Sequence, residues 1–153
     1  MVFNIFISNT DDHLRNHALL HGAKGWRLSP AYDMNPCPAD ISGGIHNLAL
    51  NELDRTGSLE IALSVAEYFG LKLADAKQIA SEVATAVSGW RTVASRTRID
   101  QFEIERMSSA FKEEEIETAL AYRAVAANAV RKPSSGGKQK KGRKKRTASQ
   151  SAL

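Results

Sequence analysis

The sequence predicts a mainly α-helical protein with one short β-hairpin near its beginning. Three observations predict this class. Residues 57–130 carry apolar side chains at helical spacing in successive stretches. Before them, two β-compatible pieces, "HALLH" and "GWRLS", flank the turn "GAKG". After the hairpin, Pro30, Pro36 and Pro38 exclude regular helix and imply a fixed, irregular backbone.

Taken in order, "VFNIFI" is a short apolar run that ends a helix or a strand and leads directly into the polar stretch "SNTDDHLRNH". Gly22 and Gly25 permit positive φ, so a tight hairpin is the natural reading of the next segment. "IHNLAL" reads as a further short strand. In "SLEIALSVAEYFG", Leu59, Leu63, Ala66 and Tyr68 or Phe69 form one stripe, with Ser58 and Gly70 as caps. A longer amphipathic helix is expected from Lys72 to about Ser95, with Leu73, Ala76, Ile79, Val83, Val87, Trp90 and Val93 on its apolar side. Asp100 is placed to cap a helix holding Phe102, Ile104 and Met107. Glu113 to Val130 forms the last helix, with Ile116, Leu120, Tyr122 and Val125 inward. Trp90 and Tyr68 read as packing residues.

The chain thus divides into a loop-rich segment, 1–56, a helical segment, 57–130, and a basic tail, 131–153. The tail holds nine Lys or Arg and no acid, leaving twelve basic against seventeen acidic residues elsewhere, a net charge of −5. Its single apolar side chain larger than Ala is Leu153, so the tail is expected to be disordered. It reads first as a solubilising extension, and otherwise as a weak, salt-sensitive contact with nucleic acid. No apolar run is long enough to span a bilayer. The first residues lack the basic region and cleavage site of a signal peptide. The lone cysteine, Cys37, fits a reducing cytosol and a cytoplasmic location, and is given no catalytic role.

The chemistry concentrates at residues 10–33. Phosphoryl transfer from ATP needs a carboxylate to orient the attacking hydroxyl and take its proton. It also needs an amide oxygen and a second carboxylate to hold Mg²⁺. Protein kinases carry the first two as Asp-x-x-x-x-Asn on one loop and the third after a hairpin. Here Asp11 and Asn16 have that spacing, the hairpin follows, and Asp33 comes next. Thr10 and Asp12 are expected to bond local backbone and hold the turn. His13 stands where it can donate to a phosphate oxygen. Arg15 is expected to make a structural ion pair or to contact the acidic loop.

The longer strings are more specific than the spacing. "NTDDHLRNH" followed by "WRLSPAYDMNP" resembles the C-terminal domain of the HipA-like serine/threonine kinases, the toxins of bacterial toxin–antitoxin systems. The matching positions are Thr10, Asp11, His13, Arg15 and Asn16, then Leu28, Ser29, Pro30, Tyr32 and Asp33. "LALNE", "SLEIALSVAEYFGL" and "EIERMSSAF" look like that family's helical end, so the resemblance runs to about residue 111. Asp12 departs from the glycine or other small residue of some members.

The resemblance implies the helical C-terminal lobe of a protein-kinase-like fold, with ATP and Mg²⁺ as cofactors. It implies catalytic roles for Asp11, as base, and for His13, near the transferred phosphate. Asn16 and Asp33 would be the cofactor-binding magnesium ligands. The implied partners are a protein substrate and either a DNA-binding antitoxin of the HipB-like type or a separate N-lobe polypeptide. No glycine-rich phosphate loop or lysine-bearing strand precedes Asp11, so the N-lobe is expected to be absent, as in a split kinase or a degenerate remnant. The chain alone is then expected to be inactive. The cut would leave Phe3, Ile5, Phe6 and Ile7 without partners, predicting poor solubility or oligomerisation.

Two rival readings have sequence support. One is a non-catalytic helical module of a toxin–antitoxin system that binds a partner or nucleic acid. The other is a metal-dependent hydrolase, because His13, His17 and His21 recur every four residues beside Asp11 and Asp12. No H-E-x-x-H pattern or second ligand pair supports the hydrolase.

Overall fold

The computed structural model describes residues 1–131, and the expectations for the tail lie outside the described residues. A little over half of this part is helical, and the helices dominate from Leu59 onward. Helix α1 (Val2–Phe6) opens the chain, and the two-stranded antiparallel sheet β1 (Leu19–Gly22) and β2 (Gly25–Leu28) follows. Then come α2 (Ala39–Ser42), α3 (Leu59–Ser64), α4 (Leu73–Ser88), α5 (Trp90–Arg96), α6 (Gln101–Arg106) and α7 (Glu113–Arg131). Single 3₁₀ turns lie at Leu14–Asn16, Ala66–Phe69 and Met107–Ala110.

The core forms around α1, which packs against α3, α4 and α7. Ile5, Phe6 and Ile7 are fully or almost fully buried, with Leu50, Leu59, Val87 and Ile116 around them. The apolar opening run therefore has its partners inside this domain, contrary to the expectation of unpartnered side chains. The Phe6 carbonyl also accepts from Lys112 N–H at 2.9 Å, tying α1 to the start of α7.

The hairpin forms where expected. Leu19 pairs with Leu28 and Gly22 with Gly25, and Gly25 takes φ +98°, which a side chain would resist. "IHNLAL" does not form a strand: a lone bridge joins Ile45 to Thr56.

Several helical details differ from the sequence expectation. Gly70 closes the turn after α3 with φ +69°, as expected, but Ser58 makes no side-chain cap. Instead Glu115 on α7 accepts from Leu59 N–H at 3.2 Å. Tyr68 is 81 % exposed and Phe69 64 %, because the 3₁₀ turn after α3 has a tighter period and rotates both rings off the stripe. The long helix breaks at Gly89 into α4 and α5. The buried face of α4 is Ala76, Ala80, Ser81, Ala84 and Val87, while Leu73 and Ile79 lie exposed beside it. Small residues at this face let α7 approach through Ile116 and Ala119. Val93 is exposed, whereas Trp90 packs as expected, stacked on Phe111 at 3.9 Å between centroids. Asp100 caps α6 as expected, accepting from Phe102 N–H and Glu103 N–H. Ile104 is buried, but Phe102 points outward. In α7, Ile116 is buried and Leu120 and Tyr122 are half-buried, while the side chain of Val125 lies outside the described residues.

Candidate functional site

The polar loop begins where α1 ends. Ser8 takes φ +50°, the Asn9 N–H returns to the Asn4 carbonyl at 2.8 Å, and the Thr10 N–H bonds the Ser8 carbonyl. The chain thus turns sharply out of the core and delivers Asp11 to the surface. The 3₁₀ turn Leu14–Asn16 follows, closed by Asn16 N–H to the His13 carbonyl and by His13 N–H to Asn16 Oδ1 at 3.1 Å. Asn16 is buried by this turn.

The hairpin then carries the chain away and back. Ser29 N–H bonds the Ala18 carbonyl, and Tyr32 Oη donates to the Arg15 carbonyl at 2.7 Å. These bonds set residues 29–33 beside the 3₁₀ turn. Asn16 Nδ2 donates to Asp33 Oδ2 at 2.6 Å. Asp33 takes φ +55°, a left-handed backbone that Asp and Asn tolerate better than most residues. Its other carboxylate oxygen accepts from Asn35 Nδ2 at 3.0 Å, and its carbonyl from Asn9 Nδ2 at 3.4 Å.

A second carboxylate is fixed from below. Asp12 accepts from Asn4 Nδ2 at 2.7 Å and from His17 Nε2 at 2.9 Å. Asn9 Nδ2 also reaches Asn4 Oδ1. Buried amides of Asn4 and Asn9 thus tie Asp12 and the Asp33 backbone to α1, and their burial is offset by these bonds. Asp12 therefore bonds side chains, where bonds to local backbone were expected. Asp11 is exposed and accepts from Asn47 Nδ2 at 2.8 Å. His13 is half-buried at the head of the 3₁₀ turn. Arg15 is exposed and makes no ion pair among the described residues; its part here is the carbonyl that Tyr32 bonds.

Of the four predicted site residues, Asn16 and Asp33 meet directly. Asp11 and His13 lie on the same loop, with Asp11 held from a different direction. Asn4, Asn9, Asn35 and Asn47 went unnoticed in the sequence. An amide inside the apolar run "VFNIFI" was a usable signal for Asn4; Asn47 had none.

The histidine-based metal site does not form. His13 heads the 3₁₀ turn, His17 bonds Asp12, and His21 lies in β1 against the edge of Trp26 at 5.0 Å. The three do not share a helix face. Among the described residues no three or more His, Cys, Asp or Glu are grouped to hold a metal ion. Asn16 turns its Nδ2 to Asp33 and its Oδ1 to the His13 N–H, so the amide must flip before its oxygen joins the Asp33 carboxylate as a hard donor of the kind that suits Mg²⁺.

Fold and loop geometry together define a helical domain whose hairpin returns an aspartate onto an asparagine-bearing loop. The family model of the HipA-like C-terminal domain matches residues 1–90, more than half of the chain, and the chain belongs to that family. The matched span ends short of residue 111, where the motif resemblance was expected to end. No curated protein and no solved structure gives a significant match. Among the described residues no helix is long and apolar enough to cross a membrane.

Proposed function

We propose that this chain is the C-terminal lobe of a HipA-like kinase that moves the γ-phosphate of ATP to a serine or threonine hydroxyl. The observation that carries this reading is the 2.6 Å contact between Asn16 and Asp33, two residues of the expected types on the two expected loops. Asn16 and Asp33 are the residues that would hold Mg²⁺, which neutralises phosphate charge when bound. Asp11 orients the attacking hydroxyl and takes its proton. His13 faces the transferred phosphate. Buried Asn9 and Asn16 keep Asp33 in place before substrate arrives, and positioning of this kind supplies most of the rate in this chemistry.

A lobe that covers the phosphates and pairs them with a lysine belongs to the same reading. That lobe, whether joined to this sequence or separate from it, is sought in the coding sequence upstream. The partners are a protein substrate and an antitoxin of the DNA-binding HipB-like type, and the reaction takes place in the cytoplasm, where ATP is supplied.

The test is transfer of radiolabelled γ-phosphate to protein by the chain, alone and together with the polypeptide encoded upstream. The expected result is label on serine or threonine with the two together, lost in Asp11→Ala and in Asp33→Ala, and none with residues 1–153 alone. Label that persists in both variants, or none when the upstream polypeptide is present, contradicts the reading.

A further inference from the structure

We propose that the strap Ile45–Thr56 is a positioning element for Asp11 and acts through Asn47. Asn47 stands 36 residues beyond Asp11 and grips the loop twice. Its backbone N–H donates to the Thr10 carbonyl at 2.8 Å, and its side-chain Nδ2 donates to Asp11 Oδ1 at 2.8 Å. The first bond fixes the peptide before Asp11; the second fixes the carboxylate itself. An exposed aspartate otherwise samples several rotamers in water. Pinned through one oxygen, a carboxylate keeps the other for an incoming proton.

The strap is rigid enough to serve as a reference. His46 and Arg55 are joined by two bonds, His46 N–H to the Arg55 carbonyl and Arg55 Nε to the His46 carbonyl. Leu50 N–H bonds the Asp54 carbonyl, and Asn51 Oδ1 accepts from both Leu53 N–H and Asp54 N–H, closing the tip. On either side of Asn47 the strap is anchored in the interior, by His46 at 2 % exposure and by Leu50 at 7 %. Gly57 at its base lies so close to His46 that a Cβ there would collide with the imidazole. Asn47 is thus an amide placed by the core and aimed at one surface carboxylate.

This positioning role rests on the phosphotransfer reading, and its test separates the two. Asn47→Ala and the nearly isosteric Asn47→Asp both keep the backbone bond to Thr10 and lose the side-chain donor. In phosphotransfer by the chain with its upstream polypeptide, kcat is expected to fall about 10- to 100-fold, with KM for ATP and the melting temperature unchanged. An unchanged kcat in both variants, or kcat, KM and melting temperature falling together, overturns the role. If the unaltered protein transfers no phosphate, the phosphotransfer reading fails. The grip is then scored by exchange of the Asn47 side-chain amide protons in the chain alone. Protection that disappears in Asp11→Ala supports it, and absent protection in the unaltered chain overturns it.

Discussion

Asn16 and Asp33 lie seventeen residues apart in the chain, yet the Asn16 amide donates to the Asp33 carboxylate at 2.6 Å. Two local devices make this meeting: the tight hairpin that brings the chain back, and the Tyr32 hydroxyl that latches residue 32 to the Arg15 carbonyl. The latch can be removed without touching either site residue. Tyr32→Phe is expected to cost about 1 kcal/mol of stability, the typical net worth of one hydrogen bond. It should also loosen the Asn16–Asp33 pair, seen as faster exchange of the Asn16 side-chain amide. Unchanged exchange would assign the pairing to the hairpin alone.

The site is built on α1, so damage to α1 should reach it. Phe6 is fully buried in the centre of the core, and Phe6→Ala is expected to cost about 3–5 kcal/mol by denaturant unfolding. The smaller Ile5→Val change should cost about 0.5–1.5 kcal/mol. A value near zero for Phe6→Ala would remove α1 from the core.

Acid should weaken the fold through His46. Burial, reinforced by the charge of Lys112, holds its imidazole below the ordinary pKa near 6.5, with Asp12 pulling the other way. Lys112 is itself lowered by burial, against the pull of Glu115. The folded protein therefore keeps His46 neutral where the unfolded chain takes up a proton. As pH falls through about 6.5 the unfolded state binds more protons, so stability declines and then levels off below the folded-state pKa. Melting temperatures followed from neutral pH down to about 5 should show this decline, and His46→Gln should flatten it. An equal slope in that variant would place the titration elsewhere.

The α6 cap is a local and independent check. Asp100 Oδ1 accepts from Phe102 N–H at 2.7 Å and from Glu103 N–H at 3.3 Å. Asp100→Ala should cost about 1 kcal/mol in denaturant unfolding, while Asp100→Asn or Asp100→Ser should cost much less. Equal losses in all three would deny the side chain a capping role.

What the sequence made legible follows from the range of each interaction. The hairpin and the Asp100 cap depend on neighbours a few residues away, so turn glycines and a capping aspartate announce them. The meeting of Asn16 with Asp33 was legible through residue types, order and spacing. Other features depend on distant partners. Leu59 is capped by Glu115, 56 residues on, which no local rule finds at Ser58. The buried face of α4 follows Ala80 and Ala84 because α7 packs closely there, whereas periodicity alone favours the larger Leu73 and Ile79. Tyr68 and Phe69 fit the stripe only if α3 keeps its helical period, and it does not. Asn47 sits in a run that reads as a short strand and acquires its meaning from its bonds to Thr10 and Asp11, 36 residues back.

The central claim is that Asn16 and Asp33 form a magnesium site, and manganese tests it most directly. Mn²⁺ added in trace amounts to the isotope-labelled chain broadens nearby amide signals even when binding is weak. The account predicts broadening centred on Asn16 and Asp33, strengthened by ATP and abolished by Asp33→Ala. Broadening centred elsewhere, or unchanged in Asp33→Ala, would contradict it.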